Sequence, residues 1–301
     1  MTRLLIALAS LLGLGLAAYG FTAASPLTLF DAIGPRDAGG RLAARDQAFG
    51  EGKRRRLDVY VPTVAAERAP VLVFFYGGSW QSGSKDDYAF VGHALAAQGF
   101  VTVMPDYRLY PETAFPGFLE DGAAALAWVR DNIAAYGGDP RRIVLAGHSA
   151  GAYNAVMLGL DPRYLNAAGV DPKVIKAVAG LSGPYDFLPL DQDTTIKVFG
   201  QAPDLPLTQP MTFAGPLSPP TFLATGEADT VVKPRHTVSL AAKLRAAHVS
   251  VQERVYPGLD HSDTLLALSV TFRRKAPVLA EMSAFLHQHA GAKRLTTLTM
   301  H

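Results

Sequence analysis

No cysteine occurs anywhere in the 301 residues, which excludes disulfides, thiolate metal ligands and a cysteine nucleophile. The same absence leaves the redox compartment unreadable. Charge is sparse and balanced: charged residues make up 18% of the chain and the formal net charge is +2. A nucleic-acid binder needs a basic face or stripe. The only dense basic run, Lys53-Arg54-Arg55-Arg56, precedes a predicted strand and reads as a solvated edge. No GxGxxG or P-loop follows the first predicted strand, so a nucleotide site of either kind has no support, and a sugar or nucleotide ligand on a plain α/β domain is the bland alternative. There is no internal repeat and no low-complexity array.

Apolar residues are plentiful, at 49%. That share fits a folded chain with a sizeable core, and the length suits one large domain. The N-terminus is apolar from Leu4 to Ala18, and after Arg3 no charge appears until Asp31. Small residues at Thr22-Ala23-Ala24 suit a signal peptide cleaved near Ala24. An uncleaved membrane anchor fits equally, because residues 4 to 24 approach the roughly 20 apolar residues that span a bilayer. Either reading places the catalytic domain outside the cytoplasm, exported or membrane-anchored.

From residue 57 to about 290, β-type and helical runs alternate, which predicts a mainly parallel sheet with helices on both faces. The predicted strands are Leu57 to Val61, Val71 to Phe75, Phe100 to Met104, Ile143 to Ala146, Ile175 to Leu181, Thr221 to Ala224 and Val249 to Val255. Helices are predicted over Asp86 to Gln98, Phe118 to Ala135, Ala150 to Leu160, His236 to Ala247 and Ala276 to His289. Residues 25 to 56 read as an N-terminal extension and 291 to 301 as a polar, frayed tail. Residues 184 to 220, proline-rich and without periodicity, are too long for a bare connection and read as a lid or pocket wall.

The most specific stretch is Gly147-His148-Ser149-Ala150-Gly151, which follows the apolar run Ile143 to Ala146. Small residues two before and two after a serine permit a sharp strand-to-helix turn that lifts the hydroxyl above the sheet. Ser149 is therefore the expected nucleophile rather than a helix cap. Serine needs a base, and the base an orienting acid. Of the histidines downstream, His261 lies in a loop after the last predicted strand, Tyr256-Pro257-Gly258-Leu259-Asp260-His261-Ser262, while His236, His248, His287, His289 and His301 belong to helices or the tail. The acid is expected on the loop after Thr221 to Ala224, where Asp229 is preferred and Glu227 is the fallback; Asp260 and Asp263 read as loop-forming. The chain order Ser149, Asp229, His261 is that of α/β-hydrolases.

With these residues in place, the chain resembles the α/β-hydrolase superfamily, and within it the carboxylesterases and arylformamidases related to hormone-sensitive lipase. The likeness covers roughly residues 50 to 290 and rests further on Asp106-Tyr107-Arg108-Leu109, Pro111-Glu112, Phe115-Pro116, Glu120-Asp121, Tyr136-Gly137-Gly138-Asp139-Pro140 and Gly183-Pro184-Tyr185-Asp186. Tyr76-Gly77-Gly78-Ser79-Trp80 aligns with the His-Gly-Gly-x-Trp motif of that family, so the resemblance implies an oxyanion hole from the amides of Gly77, Gly78 and Ala150, with Tyr76 in place of the histidine. Tyr76, Trp80 and His148 are the candidate substrate-pocket residues, and an arginine in Asp106-Tyr107-Arg108 is expected to pair with carboxylates beneath the site. The expected activity is hydrolysis of a small-molecule carboxylic ester through an acyl-enzyme, with no cofactor and no metal. Hydrolysis of an aryl formamide or another amide on the same triad is the alternative, and a non-catalytic binding module is a third reading.

Overall fold

Apolar runs buried on both faces make the centre of this protein. In the computed structural model, which describes residues 26–64 and 68–291, every residue of β3 (Ala69–Phe75) is buried, as expected for a strand covered by helices on both sides. The strands in chain order are β1 (Gly40–Ala48), β2 (Arg56–Pro62), β3, β4 (Val101–Pro105), β5 (Gly138–His148), β6 (Ile175–Leu181), β7 (Thr221–Gly226) and β8 (Val251–Tyr256). They form one eight-stranded sheet in the order β1-β2-β4-β3-β5-β6-β7-β8. The pairs from β4 onward are parallel, whereas β1–β2 and β2–β4 are antiparallel. This is the α/β-hydrolase architecture, and all seven predicted strands are present.

The principal helices are α1 (Pro26–Ile33), α2 (Ala89–Ala97), α3 (Gly117–Asn132), α4 (Ala150–Leu160), α5 (Pro162–Ala167), α6 (Asp193–Phe199), α7 (Pro210–Phe213), α8 (Arg235–Ala246), α9 (Asp263–Leu266) and α10 (Val278–His289). In α8 the buried positions His236, Thr237, Leu240, Ala241 and Leu244 recur at helical spacing, and Lys243 and Arg245 sit in the last turn, where cations favour the helix dipole.

Two expectations change. The segment from 25 to 56 contributes α1 and the edge strand β1, so the sheet begins before residue 57. β1 was hard to read because its residues, GRLAARDQA, carry little apolar character and it bulges twice against β2. The basic run is not a solvated edge either. Arg55 bonds the fully buried Asp121 at 2.8 Å, and Arg54 donates to the Gly83 carbonyl and the Tyr76 hydroxyl at 3.0 and 3.3 Å. The 184–220 segment, expected to be a lid or pocket wall, is folded onto the domain. The Tyr153 hydroxyl of α4 donates to the Thr208 carbonyl at 2.6 Å, the Phe187 N–H donates to Gln209 at 2.8 Å, and Phe199 is fully buried.

Arg108 pairs with Asp121 at 2.9 Å, the brace expected beneath the site. The apolar N-terminal stretch from 4 to 24 lies outside the described residues. Among the described residues no helix is long and apolar enough to cross a membrane.

Candidate active site

The turn between β5 and α4 is built by its glycines. A Cβ on Gly147 would stand 2.2 Å from the Gly151 carbonyl oxygen, and one on Gly151 would stand 2.1 and 2.3 Å from the carbonyl oxygens of Phe75 and Tyr76. Only glycine permits so close an approach of backbones. Between them Ser149 takes φ 55° and ψ −124°, a conformation that L-residues rarely adopt, and its N–H is anchored on the Leu181 carbonyl at 2.9 Å. Strain of this kind persists where the surroundings enforce it. It leaves Ser149 partly exposed at the C-terminal edge of the sheet, while Asp229 and His261 are buried.

The three predicted residues meet in that order. Ser149 Oγ lies 2.9 Å from His261 Nε2, and His261 Nδ1 lies 2.8 Å from Asp229 Oδ2. Because a carboxylate only accepts, Nδ1 carries the hydrogen, which leaves Nε2 free to accept from the Ser149 hydroxyl. Asp229 is itself fixed: its Oδ1 accepts from the Val231 and Val232 amides at 3.0 and 2.8 Å. Burial alone would push the Asp229 carboxyl up, but the His261 hydrogen bond and charge, with the Val232 amide and Ser182, outweigh it and hold the group below 3.8. Glu227 instead bonds the Gly258 N–H at 3.3 Å in an exposed turn, away from His261. Asp260 folds its own loop by accepting from the Ser262 and Asp263 amides, both at 2.9 Å, and Asp263 pairs with Lys275.

In the loop after β3, one of the three expected oxyanion donors already has a partner. The Gly77 N–H donates to the buried Tyr88 hydroxyl at 3.2 Å and is therefore committed within the protein. Among the described residues the amides of Gly78, Ser79 and Ala150 have no such acceptor. Gly78 has φ 126°, and Ser79 and Trp80 have φ 55° and 57°, so the backbone turns sharply here. Gly77 packs directly on the elbow: a Cβ on it would meet both the His148 carbonyl oxygen and the Ser149 Cβ at 3.0 Å.

The three expected pocket residues are all buried. Tyr76 is fully buried and stacks on Tyr107 with ring centroids 4.6 Å apart. Tyr107 in turn donates to the Tyr76 carbonyl at 2.7 Å, and the Tyr76 hydroxyl receives Arg54. Tyr76 thus supports the loop from beneath. Trp80 is buried too: its Nε1–H donates to Asn154 at 3.1 Å, and its ring packs on Phe118, Tyr153, Phe187 and Phe199. His148 is 5% exposed, and its Nε2–H donates to the His261 carbonyl at 2.9 Å.

Tyr88, Asn154 and Thr264 also shape the site, yet none stood out in the sequence, whereas Tyr107 stands in the Asp106-Tyr107-Arg108 stretch. Of these three, Asn154 carried a signal, as a polar residue inside an otherwise apolar helix. An open cavity of about 690 Å³, lined by Phe115, Pro116, Glu120, Arg163, Tyr164 and Leu207 among others, lies apart from Ser149 and His261. The ring layer of Trp80, Phe118 and Phe199 reaches toward it through Phe115.

Comparison with known proteins places the chain among esterases by likeness. The carboxylesterase NlhH of Mycobacterium tuberculosis is 35% identical over 255 residues, covering 76% of this chain and 78% of that protein. A probable isoprenylcysteine alpha-carbonyl methylesterase of Oryza sativa subsp. japonica is 38% identical over 151 residues, or 48% of this chain. The chain spans only 36% to 59% of the length of the plant methylesterases it matches. Among solved structures, esterase B from Lactobacillus Rhamnosis superposes with a TM-score of 0.78 at 18% identity, covering 95% of this chain and 96% of that one. A thermostable esterase from Pseudomonas putida gives 0.73 at 23% identity, covering 97% of each. Both establish the fold alone. The BD-FAE family profile matches residues 57–244, which run from within β2 into α8 and include Ser149 and Asp229; the chain belongs to the BD-FAE family of α/β-hydrolase serine esterases.

Proposed function

We propose that the protein hydrolyses small carboxylic esters through an acyl-enzyme on Ser149. The carrying observation is the continuous relay from Ser149 Oγ through His261 to Asp229, at 2.9 and 2.8 Å. In the forward step Ser149 Oγ attacks the ester carbonyl carbon and its proton passes to His261 Nε2. Collapse of the tetrahedral species breaks the carbonyl–alkoxy bond, and the same proton leaves on the alcohol. Water then attacks the acyl-serine, giving its proton to His261, and collapse returns the proton to Ser149 as the carboxylic acid departs. Asp229 holds the imidazole in the required tautomer and stabilises its charged form.

The oxyanion is received by the amides of Gly78 and Ala150, with Ser79 next in the loop, and Gly77 is excluded by its bond to Tyr88. Loss of one such donor typically costs on the order of 3 kcal/mol in the transition state. The names of the curated relatives support ester chemistry over amide chemistry.

The test is a panel of activated esters with short, medium and long acyl chains, together with an aryl formamide and a feruloyl ester, assayed on wild type and Ser149→Ala. Ester turnover that vanishes in Ser149→Ala is expected, with the formamide slower than its matching ester. A variant that still hydrolyses the esters at the wild-type rate would overturn the assignment. We also propose export of the catalytic domain, on the strength of the apolar stretch from 4 to 24. Fractionation of cells expressing the full chain checks this, and activity confined to the cytosol would refute it.

A further inference from the structure

His148 stands between the three working parts of the site. It is the last residue of β5 and adjoins Ser149 in the chain. Its Nε2–H reaches across 113 residues of sequence to the main-chain carbonyl of His261 at 2.9 Å. The Thr264 hydroxyl donates to the same carbonyl at 3.2 Å, so the His261 backbone is held from the elbow on one side and from its own following helix on the other. The opposite edge of the His148 ring meets the oxyanion loop: a Cβ on Gly77 would lie 3.3 Å from Nδ1. That Nδ1 is buried and has no hydrogen-bond partner among the described residues. A buried ring nitrogen without a partner argues that the side chain is placed for its other contacts.

Among the described residues, two polar contacts join the elbow to the His261 loop: Ser149 Oγ to His261 Nε2, and His148 Nε2 to His261 O. They differ in kind. The first is remade at every proton transfer, because Nε2 alternates between acceptor and donor. The second uses a main-chain carbonyl, whose hydrogen bonding is the same whichever way the catalytic proton has moved.

We propose that His148 is a positioning residue that fixes His261 relative to Ser149 through the His261 main chain, independently of the catalytic hydrogen bond. This rests on the ester-hydrolase reading above. Its consequence is kinetic: displacing a reacting group by about 1 Å costs about a hundredfold in rate, whereas the substrate pocket is untouched. Because His261 serves both acylation and deacylation, both steps should slow together.

The experiment compares His148→Leu, His148→Gln and His148→Asn with wild type and Ser149→Ala on one activated ester. Leu removes the donor. Gln places an amide N–H at similar reach, and Asn, one methylene shorter, falls short of the His261 carbonyl and serves where the Leu variant does not fold. His148→Leu and His148→Asn should lose about 10- to 100-fold in kcat with KM within about threefold of wild type, and His148→Gln should recover most of that loss. The proposal falls if a folded His148→Leu or His148→Asn keeps kcat within about twofold of wild type. It also falls if folded His148→Gln is as slow as Leu or Asn, or if KM rises as much as kcat falls. An active Ser149→Ala would instead bring down the underlying ester-hydrolase reading, so the two failures are distinguishable.

Discussion

The Gly77 N–H donates to the Tyr88 hydroxyl at 3.2 Å, so the first glycine of the YGGSW loop is tethered to the residue that precedes α2. Tyr88→Phe removes the acceptor and leaves a buried donor unpaired, a loss of roughly 1–3 kcal/mol in stability. The loop should loosen, and kcat should fall by less than the roughly 10²- to 10³-fold that follows loss of a true oxyanion donor. Thermal melting and steady-state kinetics on one ester check both. An unchanged or higher kcat would instead make the Gly77 amide available to the oxyanion.

Asp229→Asn keeps the shape of the side chain but removes the charge that orients His261. Its remaining oxygen can still accept from Val231 and Val232, so the fold should hold while kcat drops by about 10⁴-fold, the scale set by the same change in a Ser-His-Asp triad. Glu227→Gln, at the exposed turn, should stay within about twofold. A reversal of these two effects would move the acid to Glu227.

Acid stability follows from buried histidines. Burial first, then the neighbouring His261, brings His148 down to about 3, and burial, then Arg235, brings His236 down to about 4, both from 6.5. Below 6.5 the unfolded chain therefore binds protons that the folded chain refuses. Stability is fully present above 6.5 and lost as pH falls toward those lower values, each histidine contributing up to about 1.4 kcal/mol per pH unit. Asp229 adds a loss of the same sign below 3.8. Urea unfolding at pH 7, 5.5 and 4.5 should show the decline, and His148→Gln should flatten it. An identical slope in that variant would refute the assignment to His148.

Lys85 is 1% exposed at its side chain and meets Asp46, Asp58 and Asp86 at 2.7, 3.0 and 3.0 Å, tying β1 and β2 to the turn before α2. Lys85→Met strands the buried Asp58 carboxylate, and the expected loss is about 3–5 kcal/mol. Asp46 is exposed, so Asp46→Asn should cost no more than about 1 kcal/mol. Equilibrium unfolding in urea compares the two. Equal effects would mean that the exposed and buried partners matter alike.

The triad was legible because each member sits where local chemistry is strict. A Cβ on Gly147 or Gly151 would meet backbone oxygens at about 2 Å, Asp229 follows a strand that is buried throughout, and His261 lies in the loop after the last strand of the alternating pattern. What escaped was side-chain direction. Tyr76 occupies a motif position in the chain, but which way its ring turns depends on Tyr107 and Arg54, brought there by β4 and by the approach to β2. Trp80 is likewise claimed by Asn154 and by Phe187 and Phe199 from the 184–220 segment, whose short helices carry no readable period. β1 was missed for a different reason, since an edge strand needs no continuous apolar face.

The parallel register of β5, β6 and β7 has a temporal consequence. Ser149 follows β5, Asp229 follows β7 and His261 follows β8, so the relay closes only after pairings that are distant in sequence have been made. Such pairings are slow steps of chain assembly. During refolding, the return of ester turnover should therefore lag behind the return of helical circular dichroism, making the enzyme's own activity a clock for the last strands to join.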